Sequence, residues 1–239
     1  MLDSMKLKTK IALIVIAALL GLLSLTVVSA FKMKTDLING RKEVIQSILE
    51  STHATLSGYQ ALVAAGTMTQ EDAKKAGAQA ISLIRYGGKD GKSEYVYSYT
   101  TEGIGVYHVN KDRIGKPLFD TVKDPKGNYT VRDLVTAAKN KPGGTFVYTL
   151  TARPGQKEPI DKLGYVKLFE PWSWMIGTGV YVDDIEQEFR ERLISDLAIS
   201  LGLLAVIAWL GYTIARGVIR QVGGEPSDAI QFMARVAEG

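Results

Sequence analysis

The chain has 239 residues, a formal net charge of +4, 46% apolar residues and no cysteine. The mild, unclustered charge excess excludes a nucleic-acid footprint, which needs basic residues gathered on one face. Without thiols there are no disulfides and no thiolate zinc or redox centre, which suits a bacterial periplasm or cell surface better than an animal ectodomain.

Residues 1–10 carry Lys6, Lys8 and Lys10 and read as a cytoplasmic N-terminus. Residues 11–30 hold no charged side chain. At ~1.5 Å rise per residue such a run crosses a bilayer core of ~30 Å. The competing reading is a secretory signal cleaved after Val28-Ser29-Ala30. The run is longer than the usual signal core of about 7–15 residues, which favours an uncleaved span.

Residues 31–192 form the predicted outer domain, with 23 basic and 21 acidic residues between Phe31 and Asp196. A long helix is expected over 32–58, with Leu37, Val44, Ile45, Ile48, Leu49, Thr52 and Leu56 near helical spacing and Gly40 and Gly58 as weak points. A second helix over 70–85 is capped by Thr69 with Asp72 three residues on, and Gly87-Gly88 ends it. Residues 95–99 alternate as a strand, Thr101-Glu102-Gly103 turns, and 106–109 returns. Asp124-Pro125-Lys126-Gly127 is a turn and 131–139 a short helix that Pro142-Gly143-Gly144 breaks. Strands follow at 145–151, 163–169 and 175–182. A last helix from Asp183 runs into a second span, 193–215, uncharged from Leu197 onward. Arg216 and Arg220 then open the segment 216–239. Basic residues flanking both spans put both chain ends in the cytoplasm and the middle outside. The fold class is α+β, an antiparallel sheet packed on helices between two transmembrane helices.

No catalytic or metal constellation is visible. The histidines are His53 and His108 alone, and no His-Glu-x-x-His spacing occurs. Asp183, Asp184, Glu186 and Glu188 sit where acids favour a helix start. No cofactor is expected. Binding is the better reading, because cationic and hydrogen-bonding groups fall on the strands. Tyr95, Tyr97 and Tyr99 share one strand face, as ordinary core or as ligand contacts. Lys162 enters an apolar strand, where a lone ammonium needs a partner. A bound carboxylate would serve, as would Asp161 or an escape to water. Arg85 either reaches the ligand or bonds the last helix carbonyls. Trp172 and Trp174 wall the domain.

A run of motifs in order gives a family resemblance. Arg85-Tyr86 precedes Glu94-Tyr95-Val96-Tyr97, then Gly103, His108 and Gly115-Lys116. Lys123-Asp124-Pro125-Lys126-Gly127, Arg132-Asp133-Leu134, Ala137-Ala138-Lys139, Gly143-Gly144 and Tyr148 follow. Pro154-Gly155, Pro159, Lys162-Leu163-Gly164-Tyr165-Val166, Pro171-Trp172-Ser173-Trp174 and the stretch from Ile176 to Ile185 complete it. This resembles a PAS-like single-Cache sensor domain of the second type, from bacterial chemoreceptors and sensor kinases. The resemblance implies a short carboxylate ligand such as acetate, propionate, pyruvate or lactate. It draws Tyr97, His108 and Tyr148 toward the pocket and, with Arg85, Tyr99 and Lys162, gives the candidate ligand-binding set. Val109 departs from a frequent proline and Leu150 from a common aromatic, which puts pocket shape at that strand in question.

The tail from Gly223-Gly224-Glu225-Pro226 to Gly239 resembles the first helix of a HAMP linker of methyl-accepting chemotaxis proteins. It implies a cytoplasmic signalling module beyond the chain's end and a two-pass receptor of the bacterial inner membrane. A homodimer through the long first helix and the spans is expected. A sensor histidine kinase or cyclase with the same outer domain, or a tethered binding protein without output, are the alternatives.

Overall fold

A computed structural model describes residues 7–88 and 91–222. The chain divides into two compact units, residues 36–188 and the flanking residues 1–35 with 189–239. Helix α1 (Leu7–Ala64) is continuous through Gly40 and Gly58, and α2 (Gln70–Leu83) follows. Strands β1 (Arg85–Tyr86), β2 (Glu94–Tyr95), β3 (Tyr97–Thr100) and β4 (Gly105–Tyr107) precede α3 (Thr130–Asn140). Then come β5 (Thr145–Ala152), β6 (Pro159–Phe169), β7 (Trp174–Tyr181) and α4 (Val182–Val222). The expected α+β architecture is present. The second helix stops two residues early, because Ile84 is extended and Arg85 pairs with Tyr95 in the β1–β2 ladder. The expected HAMP segment lies, from residue 223 onward, outside the described residues.

Residues 36–188 form a three-layer domain around an antiparallel sheet in the order β4-β3-β7-β6-β5. The central strand β7 is buried at every position, as a strand covered on both faces must be. On one face lie α1 and α2. Ile45, Leu49, Thr52 and Leu56 recur at helical spacing and are buried against Leu163, Ile176 and Val180. Thr69 Oγ1 accepts from the Asp72 amide at 3.1 Å, the predicted N-cap of α2. Gly77 lets α2 meet Trp172, since a Cβ there would lie 2.6 Å from the indole. The Trp172 Nε1 donates to Gln60 Oε1 at 2.6 Å, which ties that ring to α1.

On the other face lies α3, whose buried stripe Val131, Leu134, Val135 and Ala138 packs on Tyr95, Tyr97, Tyr99, Val166 and Met175. The loop before α3 is shaped by Asp124, whose Oδ1 accepts from the amides of Lys126 and Asn128, while Gly127 takes φ +87°. This face holds the candidate site.

In the second unit, the early part of α1 and the late part of α4 are helices long and apolar enough to cross a membrane. Leu25 is 68% exposed and Leu201 65%. Apolar side chains exposed in such continuous runs suit lipid rather than water. Thr26 and Ser200 join the two helices through their hydroxyls at 3.0 Å.

Candidate functional site

The site begins with what glycine leaves out. Gly164 of β6 pairs with Gly179 of β7, and Gly177 pairs with both Val166 and Tyr97. A Cβ on Gly177 would stand 2.6 Å from the Tyr97 ring, and one on Gly179 would stand 3.1 Å from Lys162 Cε. The bare backbone therefore lets an aromatic ring and a lysine stem lie close to the sheet, the usual meaning of glycine inside a strand.

Lys162 is paired across the sheet with Tyr181, so both side chains leave on the α3 side. Its ammonium lies 4.5 Å from the Tyr95 ring centroid and 4.4 Å from that of Tyr181. Glu94 Oε2 approaches to 3.2 Å, with the two side chains 4% and 2% exposed. Among the described residues neither atom completes a hydrogen bond. Burial raises the pKa of Glu94, opposed by Lys162, and burial lowers that of Lys162, opposed by Glu94. Burial thus works against both charges while each charge favours the other, and the pair holds one proton between them.

His108 follows β4 and sets its ring among Tyr95, Tyr97 and Tyr99, with centroids 5.2, 6.2 and 6.2 Å away. The Asn110 amide donates to His108 Nδ1 at 2.9 Å. That bond fixes the neutral tautomer with its proton on Nε2. Burial, helped by Arg113 and Lys162, pushes the imidazole pKa down to about 3. At neutral pH His108 is therefore an Nε2–H donor. Nε2 lies 3.3 Å from the Tyr95 hydroxyl and 3.5 Å from Arg113 Nη1, whose own hydrogen bond is donated to Tyr99 Oη at 3.3 Å. Burial first, then neighbouring phenols, keeps the pKa values of Tyr95 and Tyr97 above the usual phenol value, so they retain their protons. The Arg85 guanidinium stacks 5.5 Å from the Tyr95 ring centroid. Lysine, arginine, imidazole N–H and phenols converge, and Glu94 supplies the opposing carboxylate. A cluster dominated by donors can take up an anion.

Residues 37–194 match the family described as Single Cache domain 2. The chain belongs to that family. Over 238 residues this Cache protein is 28% identical to the methyl-accepting chemotaxis protein McpP of Pseudomonas putida, spanning 100% of this chain and 42% of the relative. It is 32% identical over 139 residues to the sensor histidine kinase MctS of Rhizobium johnstonii, spanning 58% of this chain and 29% of that one. The chain thus spans less than half the length of these relatives. Among solved structures, a Cache chemosensory domain studied for its recognition of carboxylic acids aligns with TM-score 0.56 and 32% identity, over 62% of this chain and 97% of its own. A periplasmic sensor domain of a chemotaxis protein aligns with TM-score 0.56 and 28% identity, over 61% and 97%.

Of the residues singled out in the sequence, this Cache domain gathers Arg85, Tyr97, Tyr99, His108 and Lys162. Tyr148 does not join them. It pairs with Leu163, one step out of phase with Lys162, so it leaves the opposite face and is 63% exposed. Leu150 shares that opposite phase through its partner Asp161. Lys162 neither pairs with Asp161 nor reaches the surface, its side chain being 4% exposed; its carboxylate partner is Glu94. His53 stands apart, edge-on to Phe169 at 5.2 Å. Sequence reasoning missed Glu94, Arg113 and Tyr181 as members of the cluster. Glu94 carried a readable signal, an acid at the head of an apolar tyrosine strand.

Proposed function

We propose that this chain is the sensory part of a transmembrane chemoreceptor and that its Cache domain binds a short-chain carboxylate. The observation that carries the reading is Lys162, an ammonium buried to 4% exposure without a complete hydrogen bond, ringed by other donors. A buried cation in such surroundings is stabilised by an anion that accepts several of those bonds at once. The carboxylic-acid-recognising Cache domain that shares 32% identity supports the ligand class. The chemotaxis relatives support a signalling output, and the HAMP-like sequence of the tail supports its passage to a cytoplasmic module. The basic flanks of the two apolar runs support a two-pass protein of the bacterial inner membrane with the Cache domain outside.

Signal leaves through the short path from site to α4. The ring of Tyr181 lies between the Lys162 ammonium at 4.4 Å and the Arg153 guanidinium at 4.2 Å. Arg153 in turn bonds Asp183 at 2.6 Å and Asp184 at 2.8 Å in the first turn of α4. A ligand that binds one arrangement of this stack better than another shifts the start of α4, and differential affinity alone can drive such a shift. The receptor works as a homodimer. A sensor histidine kinase is the second reading, favoured by the identity with MctS.

A thermal-shift screen of the purified chain against acetate, propionate, pyruvate, lactate, amino acids and amines tests the ligand class. An acid should raise the melting temperature. A response confined to amines would reject the reading.

A further inference from the structure

Glu94 makes two contacts that meet at the root of α4. Its Oε2 faces Lys162 at 3.2 Å, and its Oε1 accepts from the Tyr181 amide at 3.4 Å. Tyr181 is the last residue before α4 starts. A carboxylate of the chain itself therefore holds the position on Lys162 that an organic acid would seek. We propose that a bound acid replaces Glu94 as the partner of Lys162, that Glu94 takes a proton from solvent in the exchange, and that this exchange is relayed to α4 through Tyr181. The inference rests on the carboxylate reading above and adds the residue that sets its pH response.

The argument is a count of charges. Two carboxylates cannot both stay ionised against one buried ammonium, since like charges sharing a site raise one pKa. Before exchange the Glu94–Lys162 pair holds one proton, and with an acid anion on the ammonium it holds two. That count does not depend on where the single proton sits. Glu94 is faced by Tyr86 from β1, Lys162 from β6, Tyr181 from β7 and Asp184 from α4. Arg85 and Arg153 act on Lys162 from outside the pair, and Tyr95 borders its ammonium. The phenols titrate well above neutrality, His108, which faces Lys162 from the end of β4, has its pKa pushed down to about 3, and Asp184 is engaged by Arg153. The pair is left as the group that changes protonation. The exchange offers one ligand carboxylate the single position on Lys162 that Glu94 vacates.

Titration calorimetry of the full chain in detergent, with acetate, propionate, pyruvate and lactate between pH 6 and 8, tests this. Each titration is run in two buffers of different protonation enthalpy, which yields the protons taken up. The expected result is uptake approaching one proton, with affinity falling about tenfold per pH unit as pH rises. Glu94→Gln keeps an acceptor for the Tyr181 amide and removes the competing charge. With the ammonium still charged it should bind at least tenfold tighter at pH 8 and take up almost no proton, and uptake undiminished from wild type would place the exchanged proton on Lys162 and overturn the role of Glu94. Acid binding by the wild type without proton uptake, at an affinity flat in pH, overturns the exchange and leaves carboxylate sensing intact. Failure of all four acids to bind the wild type overturns both. If the variant does not fold, the wild-type proton count decides.

Discussion

Lys162→Met separates what the buried pair does for stability from what it does for binding. At 3.2 Å, two unit charges attract by about 5 kcal/mol at an effective dielectric of ~20. Methionine fills a similar volume but leaves Glu94, 2% exposed, without a cation. Breaking one side of such a pair costs about 3–5 kcal/mol. For a domain of this size each kcal/mol moves the melting temperature by about 2–4 °C, so the drop should be roughly 6–20 °C at pH 7.5. Glu94 then carries a folded-state pKa raised above its unfolded value. Its penalty is therefore largest at high pH and shrinks as pH falls through that raised pKa, where the folded protein accepts the proton. Lys162→Met/Glu94→Gln removes both charges, and since neutral replacement of a buried pair is often tolerated, at least half of the loss should return. The assay is thermal unfolding by near-ultraviolet circular dichroism at pH 5 and 7.5. A single variant that melts within 3 °C of wild type, or a double variant no better than the single, would refute the reasoning.

Three further outcomes follow from the same geometry. Gly177→Ala drives a Cβ to 2.6 Å from the Tyr97 ring, so calorimetry should show acid binding weakened at least tenfold, and denaturation a loss of about 1–3 kcal/mol. His108 has its pKa pushed down to about 3, so the fold resists a proton that the unfolded chain accepts near pH 6.5. Below pH 6.5 its contribution declines by about 1.4 kcal/mol per pH unit. Urea denaturation of His108→Gln should lack that slope relative to wild type, and equal slopes would place the imidazole in water. Arg153→Gln removes the ion pairs with Asp183 and Asp184, half-exposed acids, and should destabilise by about 1 kcal/mol. Its acid affinity should stay within threefold of wild type, and a larger loss would make Arg153 part of the binding site.

The order of helices and strands was legible because each element announces its period and its stops. Val131, Leu134, Val135 and Ala138 write out α3, and Asp124 with Gly127 writes out the turn before it. The helix end at Leu83 was not legible, since only tertiary pairing with Tyr95 pulls Arg85 into a strand. Within the candidate site, Lys162 stood out as a charge in an apolar strand and His108 as a polar ring at the end of the strand that returns beside the tyrosine row. Tyr148 shows the limit of pattern reading. A strand's residues split between two faces, and the register with Leu163 decides which face each receives. Arg113 lies in a one-turn 3₁₀ segment that has no period to read. Glu94 could be read as an acid heading the tyrosine strand, but its pairing with Lys162 could not, because a salt bridge between distant strands leaves no spacing in the sequence.

The most direct measurement is a crystal structure of the domain in complex with whichever acid raises its melting temperature most. The account predicts the ligand carboxylate within hydrogen-bonding distance of Lys162 Nζ and His108 Nε2, and Glu94 farther from Lys162 than its present 3.2 Å. An acid bound elsewhere, with the Glu94–Lys162 contact intact, would contradict it.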